Sequence, residues 1–371
     1  MLFYHAVCHL SNEFVKFVSV LDKFIVEMFL RVCYNMLRIK KHLYERTLIM
    51  KLGVLTNVYR HLPFEEALKK FKALGIEMIE VGCGGYPGSD HCNPDVLLSD
   101  EQALADWRAL VDKYGFEISA LSVHGNPVHP DPAEAASYHA QFEKAVLLAE
   151  KLGIDTVVTF SGCPGGSPDD RMPNWVTCTW PNEYKAVLDY QWNEVLIPYW
   201  RKAVAFANAH GVTKIALELH PGFCVYNVST LLRLREAVGE TIGANFDPSH
   251  LIWQGGDIIA AIRALRGAIY HFHAKDTKID KYNTAVNGVL DTGSYANAYK
   301  RSWKFRTVGY GNGEDFWRDV ISTLHILGYN GSISIEHEDC LMSLDEGLTK
   351  AAKFLDGIII RDPMPQSIAW E

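Results

Sequence analysis

Short apolar runs alternate with amphipathic stretches along most of the chain beyond residue 50. A glycine repeatedly stands where a helical pattern gives way to the next apolar run, as at Leu74-Gly75 and Tyr114-Gly115. Because glycine adopts the left-handed helix-ending conformation without a steric cost, each such glycine predicts the end of a helix before a strand. The predicted strands are Lys51–Thr56, Glu77–Gly82, Glu117–Val123, Asp155–Phe160, Lys214–Leu219, Ile242–Asp247, Ala268–His273 and Ser332–Glu336.

Helices are predicted between these strands. Pro63–Leu74 has apolar positions at helical spacing, and Asp100–Tyr114 follows a capping residue, Ser99 or Asp100. A parallel sheet of eight strand–helix units closes most economically into a barrel whose chemistry lies at the C-terminal ends of its strands. We therefore predict an α/β fold, a (β/α)8 TIM barrel with long loops after the fourth and seventh strands.

Four of the later strands each end in a residue that can bind a metal ion: Glu218, Asp247, His273 and Glu336. The first three are about one strand–helix unit apart, and a long polar loop, roughly 278–313, accounts for the longer interval before the fourth. Since the C-terminal ends of barrel strands meet at one mouth, these side chains are expected to converge. Carboxylates with one imidazole predict a site for a divalent cation.

Other polar residues are predicted near the same mouth. His250 follows the sixth strand, where it can contact ligand oxygens or serve as a fifth ligand. His124 and His220 are placed to touch a bound substrate. Lys275 and Asp276 are candidate substrate-binding residues, with a salt-bridged loop pair as the alternative. Each position also has an ordinary structural interpretation, such as a buried strand-end histidine.

Paired glutamates suit chemistry next to a carbonyl group. A cation that binds a carbonyl oxygen and the neighbouring hydroxyl of a sugar stabilises the enediolate formed on proton removal. Glu218 and Glu336, from the fifth and eighth strands, are predicted on opposite sides of the mouth as acid and base. His271 shares the inward face with His273 but lies one layer deeper, which predicts a structural or orienting role.

Composition narrows the class of protein. A hydrophobic content of 48% supports a full core, and a net charge of −8 argues against nucleic acid as the main partner. The eight cysteines show no paired CxxC spacing, so free thiols in a reducing, cytoplasmic compartment are expected. Residues 50–360 are interpreted as one catalytic barrel and residues 361–371 as a tail.

The first 49 residues do not fit this pattern. Charged residues interrupt their apolar runs, so neither a membrane span nor a signal peptide is predicted. Met50 directly precedes the first strand, which favours a translation start there and a non-native extension upstream. An appended amphipathic helix is the alternative. No membrane partner is expected.

Beyond these patterns, residues 50 to about 355 resemble the xylose isomerase-like (β/α)8 superfamily of sugar isomerases and epimerases, which includes ketose 3-epimerases and inosose dehydratases. The motifs that carry the resemblance are Leu217-Glu218-Leu219-His220-Pro221, Asn245-Phe246-Asp247-Pro248-Ser249-His250, His271-Phe272-His273-Ala274-Lys275-Asp276 and Ile335-Glu336-His337-Glu338-Asp339. The resemblance implies that the four ligand candidates bind Mn²⁺, with Mg²⁺ or Co²⁺ as alternatives. It also implies that Glu218 and Glu336 are the acid/base pair, that His250 contacts a substrate oxygen, and that the chain forms dimers or tetramers.

The chain departs from the 3-epimerases in one respect. Those enzymes place an arginine shortly after the seventh-strand histidine, whereas Lys275 and Asp276 stand here, so the resemblance does not extend to a free ketohexose as the substrate. The loops after the fourth and seventh strands are rich in aromatic and polar residues, among them Trp180 and Arg306, which are predicted to bind a larger sugar derivative.

The predicted function is that of a divalent-metal-dependent sugar isomerase or epimerase, acting on a small-molecule sugar through a metal-stabilised enediolate. A lyase or dehydratase acting on a keto-sugar or 3-keto-glycoside is the alternative within the same chemistry. An apurinic endonuclease-type phosphodiesterase is also possible for this superfamily, but it requires a positive groove for DNA. A non-catalytic sugar-binding barrel is the remaining alternative, although binding alone has no use for an acid/base pair.

Overall fold

The computed structural model describes residues 49–364. The predictions for the N-terminal extension and for most of the C-terminal tail fall outside these residues. Within the described part, no helix is both long enough and apolar enough to cross a membrane.

Eight parallel strands close into a barrel, so the predicted (β/α)8 TIM barrel is confirmed. Along the chain the barrel strands are β1 (Lys51–Leu55), β2 (Met78–Gly82), β3 (Glu117–Ser122), β4 (Thr156–Thr159), β5 (Lys214–Glu218), β6 (Ile242–Phe246), β7 (Ile269–Ala274) and β10 (Ser332–Ile335). Closure comes from β1, which pairs with both β2 and β10 and places Val54 opposite Ile335. Each predicted strand overlaps an observed one.

Helices cover the outside of the barrel as predicted. They span Phe64–Ala73, Pro94–Ser99, Glu101–Tyr114, Pro132–Leu152, Asn182–Tyr190, Ile197–Ala209, Val228–Val238, Pro248–Trp253, Ile258–Ala264, Lys281–Asn287, Glu314–Ile326 and Leu344–Asp356, with a 3₁₀ turn at Thr56–Tyr59 and a π-helical turn at Gln191–Leu196. Asp100 caps its helix by accepting the backbone N–H groups of Gln102 and Ala103. Gly115 ends that helix at φ +69°, the left-handed conformation that its sequence position predicts.

The segment after β7 differs from the predicted structureless loop. It contains an antiparallel pair, β8 (Asp276–Ile279) with β9 (Trp303–Arg306), and the short helix Lys281–Asn287 between them. Trp253 stacks on Trp303 with ring centroids 4.6 Å apart, so the base of this segment packs on the helix that follows β6. We call residues 276–312 the excursion. Because it has its own pairing and packing, it is a folded element beside the barrel mouth.

Strand alternation divides the barrel side chains into two sets. Outward-facing residues such as Leu52, Phe246 and Phe272 join the large apolar core beneath the helices. A small inward-facing apolar cluster is formed by Ala120, Val158 and Ala216, with Tyr270 against it. Above this cluster the interior is polar, and that change in character defines the functional end of the barrel.

Candidate metal centre at the barrel mouth

The four residues predicted as metal ligands meet at the C-terminal mouth. One ligand atom from each of Glu218, Asp247, His273 and Glu336 lies within 4.8 Å of all the others. The Nδ1 atom of His273 is 3.1 Å from Glu336 Oε2 and 3.6 Å from Glu218 Oε2. All four are buried or nearly so, because each stands at the end of an interior strand. Their sequence spacing of one strand–helix unit therefore becomes proximity in space.

The donor set fits a divalent cation. Three carboxylates and one imidazole are the O/N ligands that small divalent ions bind. The two carboxylate oxygens of Asp247 have different surroundings. Oδ1 accepts the Ser249 backbone N–H at 2.8 Å and so caps the helix that follows β6. Its other oxygen, Oδ2, is buried without a well-directed hydrogen bond from any described residue. A buried, inward-pointing carboxylate oxygen in this state is suited to a metal ion.

Two histidines hold Glu218 from either side. His124 Nε2 lies 2.9 Å from Glu218 Oε2, and His250 Nε2 lies 3.0 Å from Oε1. Burial raises the pKa of Glu218, but the hydrogen bonds from His124 and His250 outweigh it and keep the pKa well below its ordinary value. The carboxylate is therefore ionised and fixed in orientation.

The remaining histidine of this group, His220, packs on His250 with ring centroids 4.1 Å apart. Burial, followed by the charge of His250, lowers the pKa of His220 to about 3, so its ring is neutral. For His250 burial acts in the same direction, but Asp247 outweighs it and raises the pKa to about 9. His220 and His250 thus present one neutral and one cationic ring at the rim.

Lys275 reaches into the centre of the cluster. Its Nζ lies 2.7 Å from Glu336 Oε2, 3.0 Å from Asp247 Oδ2 and 2.9 Å from Glu338 Oε2. Burial lowers the pKa of Lys275, but these carboxylates, Asp247 first, outweigh it and raise the pKa well above its ordinary value. The ammonium group also faces the Phe305 ring at 4.6 Å. Glu338, not among the predicted site residues, is the most exposed member of this group.

A second polar layer lies directly beneath the cluster, and its central residue is not among the predicted site residues. Glu80 on β2 is fully buried, with Oε2 2.8 Å from His273 Nε2 and 2.9 Å from Ser334 Oγ. Burial raises the pKa of Glu80, but the charges of His273 and His271 more than offset it and hold the pKa at about 2. A lone carboxylate at an inward-facing position of Met78-Ile79-Glu80-Val81-Gly82 was the signal available in the sequence.

His271 belongs to this lower layer, one level below His273 as predicted. Its Nδ1 lies 3.1 Å from Asn245 Oδ1 and its Nε2 3.2 Å from Ser119 Oγ. Burial lowers the pKa of His271 to about 4, so the ring is neutral. Ser119 reaches it because the pairing of β2 with β3 passes from Ile118 directly to Ala120 and leaves Ser119 as a bulge.

Three predicted substrate-binding residues make no hydrogen bond or ion pair with the four proposed ligands. Asp276 was expected at the substrate, but its carboxylate accepts backbone N–H groups from Gly309, Gly311 and Asn312 and the indole N–H of Trp317, so it anchors the excursion instead. Arg306 donates from Nε to Asp339 at 3.0 Å. Trp180 is 76% exposed, and its side chain has no recorded contact with the cluster.

Aromatic rings flank the cluster on two sides. Phe160, directly after β4, lies 4.6 Å from the His124 ring, 5.0 Å from His220 and 4.2 Å from Phe223. On the other side Phe305 of β9 meets His250 edge-on at 5.3 Å. Apolar walls around a polar centre are the general form of a site for a small organic ligand with hydroxyl groups.

Comparison with known proteins agrees with this architecture. The family model described as "Xylose isomerase-like TIM barrel" matches residues 68–358. The uncharacterized protein YfiH of Bacillus subtilis (strain 168) is 42% identical over 309 residues, which cover 82% of this chain and 98% of that protein. The rhizopine catabolism protein MocC of Rhizobium meliloti is 26% identical over 278 residues, covering 74% and 75% of the two chains.

Solved structures share the fold at low sequence identity. The IOLI protein with a bound zinc atom superposes with a TM-score of 0.57 at 18% identity, covering 83% of this chain and 98% of that one. The probable 3-DHS dehydratase AsbF of Bacillus anthracis gives a TM-score of 0.57 at 17% identity, covering 83% and 99%. D-psicose 3-epimerase of Clostridium cellulolyticum H10 gives 0.55 at 15% identity, also covering 83% and 99%.

Proposed function

The chain belongs to the xylose isomerase-like TIM barrel family, and from this premise we propose that it is a divalent-metal-dependent sugar isomerase or epimerase. The observation that carries the proposal is the convergence of Glu218, Asp247, His273 and Glu336 within 4.8 Å at the mouth. The four side chains would hold the cation, with Mn²⁺ as the proposed ion and zinc, which the IOLI structure contains, as the alternative.

Glu218 and Glu336 are the proposed acid/base pair. They end strands on different sides of the barrel, so a ligand over the cluster has one carboxylate near each face. The bound cation would supply Lewis acidity toward the carbonyl and hydroxyl oxygens of the sugar. One carboxylate removes the proton from the carbon beside the carbonyl and later releases it to solvent, while the other takes up a solvent proton and delivers it to the opposite face.

Neighbouring side chains keep both carboxylates of the pair ionised and fixed in orientation. Burial raises the pKa of Glu336, but Lys275 and then His273 outweigh it and hold the pKa at about 2. Like Glu218, Glu336 is therefore ionised near neutral pH and able to accept a proton. His124 and His250 restrict the motion of Glu218, while the fully buried Lys275 restricts that of Glu336. A fixed orientation of both carboxylates is what a stereospecific proton transfer requires.

A dehydratase or lyase is the second candidate, and Lys275 is the observation that favours it. Its ammonium group lies 2.7 Å from Glu336 and is the only lysine or arginine group recorded in contact with the described ligand carboxylates. A cation beside the base can stabilise a hydroxyl or alkoxy group as it leaves the carbon next to the enediolate. The structural likeness to the probable 3-DHS dehydratase is compatible with this chemistry but shows the fold alone.

Solvent deuterium exchange tests both candidates. The purified protein, loaded with Mn²⁺, is incubated in D₂O with a panel of ketoses, keto-inositols and 3-keto-glycosides, and each sugar is examined by NMR. Incorporation of deuterium beside the carbonyl, with a change of configuration or carbonyl position, supports an isomerase or epimerase. Loss of water or of an alcohol from the neighbouring carbon assigns the lyase.

Matched controls make the exchange experiment specific. Glu218→Gln and Glu336→Gln keep the size of the side chain but remove the base, so each should abolish or greatly slow product formation. A panel that shows neither exchange nor product with the metal-loaded wild-type protein would contradict the proposed function. Incubation with abasic DNA in parallel tests the phosphodiesterase alternative.

A further inference from the structure

The contact between Glu80 and His273 joins the two polar layers of the barrel interior. Glu80 lies on β2, almost opposite β7 in the barrel. None of the four proposed ligands comes from β2 or from its neighbours β1 and β3. Its Oε2 is nonetheless 2.8 Å from Nε2 of His273, closer than any carboxylate oxygen of the ligand cluster is to that ring. The ring of His273 is thus held from below by a residue outside the cluster.

The two nitrogens of His273 face different partners. Nε2 points down to Glu80, whereas Nδ1 points up to Glu336 at 3.1 Å and to Glu218 at 3.6 Å. A carboxylate that accepts a hydrogen bond from one ring nitrogen places the proton on that nitrogen and leaves a lone pair on the other. Of the two carboxylates only Glu80 lies outside the proposed ligand set, so an ion bound at Nδ1 leaves the proton on Nε2, opposite Glu80.

We propose that Glu80 is a positioning residue that keeps the proton of His273 on Nε2, so that Nδ1 presents its lone pair to a divalent cation. This inference rests on the proposed metal-dependent function. Glu80 would not touch the ion or the substrate. It acts through His273, whose orientation and basicity it sets.

Glu80 is itself fixed in place. The Ser122 hydroxyl donates to Oε1, and the Ser334 hydroxyl donates to Oε2 at 2.9 Å. Both serines project inward from strands that flank the site, and all three side chains are fully buried. An ionised carboxylate that is completely removed from water is costly unless it is paired and hydrogen-bonded, and these contacts satisfy it. The result is a rigid support beneath one ligand.

The same region could be interpreted as a second metal site, since Glu80, His271 and His273 also bring ligand atoms within 4.8 Å. Their hydrogen bonds argue against it. Both nitrogens of His271 already have partners, Asn245 and Ser119, and Nε2 of His271 is 3.8 Å from Glu80. A ring with both nitrogens engaged would have to break a hydrogen bond in order to bind an ion. The upper cluster brings three carboxylates together, and the contact of His273 Nδ1 with Glu336 joins two of its own proposed ligands.

Metal affinity is the direct test. Glu80→Gln preserves size but removes the negative charge, and Mn²⁺ binding can be followed by isothermal titration calorimetry and by the EPR signal of free Mn²⁺. The variant should bind Mn²⁺ about 10–100-fold more weakly than the wild-type protein, the usual cost of losing such a partner. Glu117→Gln is the matched control, because Glu117 begins β3 on the exposed side and pairs with Lys51. It should bind Mn²⁺ normally.

A double-mutant cycle separates positioning from a general loss of structure. In the background of His273→Ala, which removes the ring, Glu80→Gln should cause no further loss of Mn²⁺ affinity if it acts only through that ring. An equal loss in both backgrounds would contradict the proposal. Ser334→Ala gives a milder disturbance should Glu80→Gln fail to fold, and it is expected to weaken Mn²⁺ binding a few-fold.

The outcomes for this inference and for the proposed function are distinguishable. A folded Glu80→Gln variant that binds Mn²⁺ as tightly as the wild-type protein overturns the inference and leaves the function standing. Weakened binding in the variant, together with a wild-type protein that acts on no sugar, supports the inference and overturns the function. ¹⁵N NMR of the histidines in the Zn²⁺-loaded wild-type protein gives a further check, because a His273 ring without a proton on Nε2 would also overturn the inference.

Discussion

The two polar layers inside the barrel differ in how completely their groups are paired. In the lower layer Glu80, Ser122, Ser334, His271 and Asn245 all have hydrogen-bond partners within the chain. In the upper layer His124 Nδ1 has no hydrogen-bond partner among the described residues, and Asp247 Oδ2 has ion pairs with Lys275 and His250 but no well-directed hydrogen bond. Since buried polar groups are normally satisfied, the lower layer is complete as folded, whereas the upper layer requires something that the chain does not provide.

Charge reinforces this difference. Glu218, Asp247 and Glu336 bring three carboxylates together, with the Lys275 ammonium group and the cationic ring of His250 against them. Like charges at such distances destabilise one another in a buried setting. The lower layer has one carboxylate, Glu80, against the imidazoles of His271 and His273. A divalent cation would therefore stabilise the upper layer and leave the lower one largely unaffected.

Removing the metal is expected to have the largest effect. Dialysis against a chelator should abolish activity, and adding Mn²⁺ back should restore it. The melting temperature should also rise with Mn²⁺, since an ion at 100 times its Kd stabilises the folded state by about 2.7 kcal/mol. Scanning calorimetry with and without Mn²⁺ measures the shift. Full activity in protein shown by elemental analysis to be metal-free would contradict the interpretation of the upper layer.

Removing either proposed base, Glu218 or Glu336, should have the second-largest effect on the reaction rate. Glu218→Gln and Glu336→Gln retain an oxygen near the ion, so each variant should keep some metal but lose about 10²–10⁴-fold in rate. If the reaction is epimerisation, one variant should still exchange deuterium into the substrate while forming no product. Steady-state rates at measured metal occupancy provide the check. Near-normal turnover in a metal-loaded variant would show that the substituted residue is a metal ligand only and not an acid or base.

A substitution at His271 in the lower layer should affect stability instead of metal binding. His271→Ala leaves Asn245 and Ser119 without their partner and opens a small cavity, which should lower the free energy of unfolding by about 1–3 kcal/mol. Mn²⁺ affinity should stay within a few-fold of normal, in contrast to Glu80→Gln. Urea denaturation and calorimetry test the two expectations separately. A large loss of metal affinity would show that the layers are not independent.

The metal-free protein is also expected to show a pH dependence of its stability. Burial lowers the pKa of His220 to about 3 and that of His271 to about 4, so both stay neutral in the folded state. The unfolded chain takes up these protons below its histidine pKa of about 6.5. Stability should therefore fall as the pH drops from about 6.5 to 4.5, by up to about 1.4 kcal/mol per unit for each histidine. His271→Ala should reduce this slope, measured by urea denaturation at several pH values.

The ligand cluster could be predicted from sequence because it depends on local rules. Glu218, Asp247 and His273 each end an apolar run, and a closed parallel barrel brings such ends together whatever the loops do. The inward direction of His271 followed from the same alternation. These residues required no knowledge of the side chains on other strands.

The supporting residues could not be predicted in this way. Whether Glu80 meets His273 depends on barrel closure and on the register of β2 against strands far away in sequence. The hydrogen bonds of Asp276 depend on the excursion, whose pairing the sequence pattern did not reveal. Lys275 follows β7 directly, but its contact with Glu338 depends on a loop after β10. Long-range partners of this kind leave little local signal.

The anchoring of the excursion by Asp276 has a consequence for protein engineering. One carboxylate gathers the amides of Gly309, Gly311 and Asn312, and a side chain on Gly311 would come within 2.5 Å of it. The two ends of the excursion are therefore held together by hydrogen bonds to the Asp276 carboxylate, next to Lys275. When the excursion is exchanged between relatives in order to alter specificity, Asp276, Gly309 and Gly311 should be transferred together. The residues between Asp276 and Gly309 can then be varied.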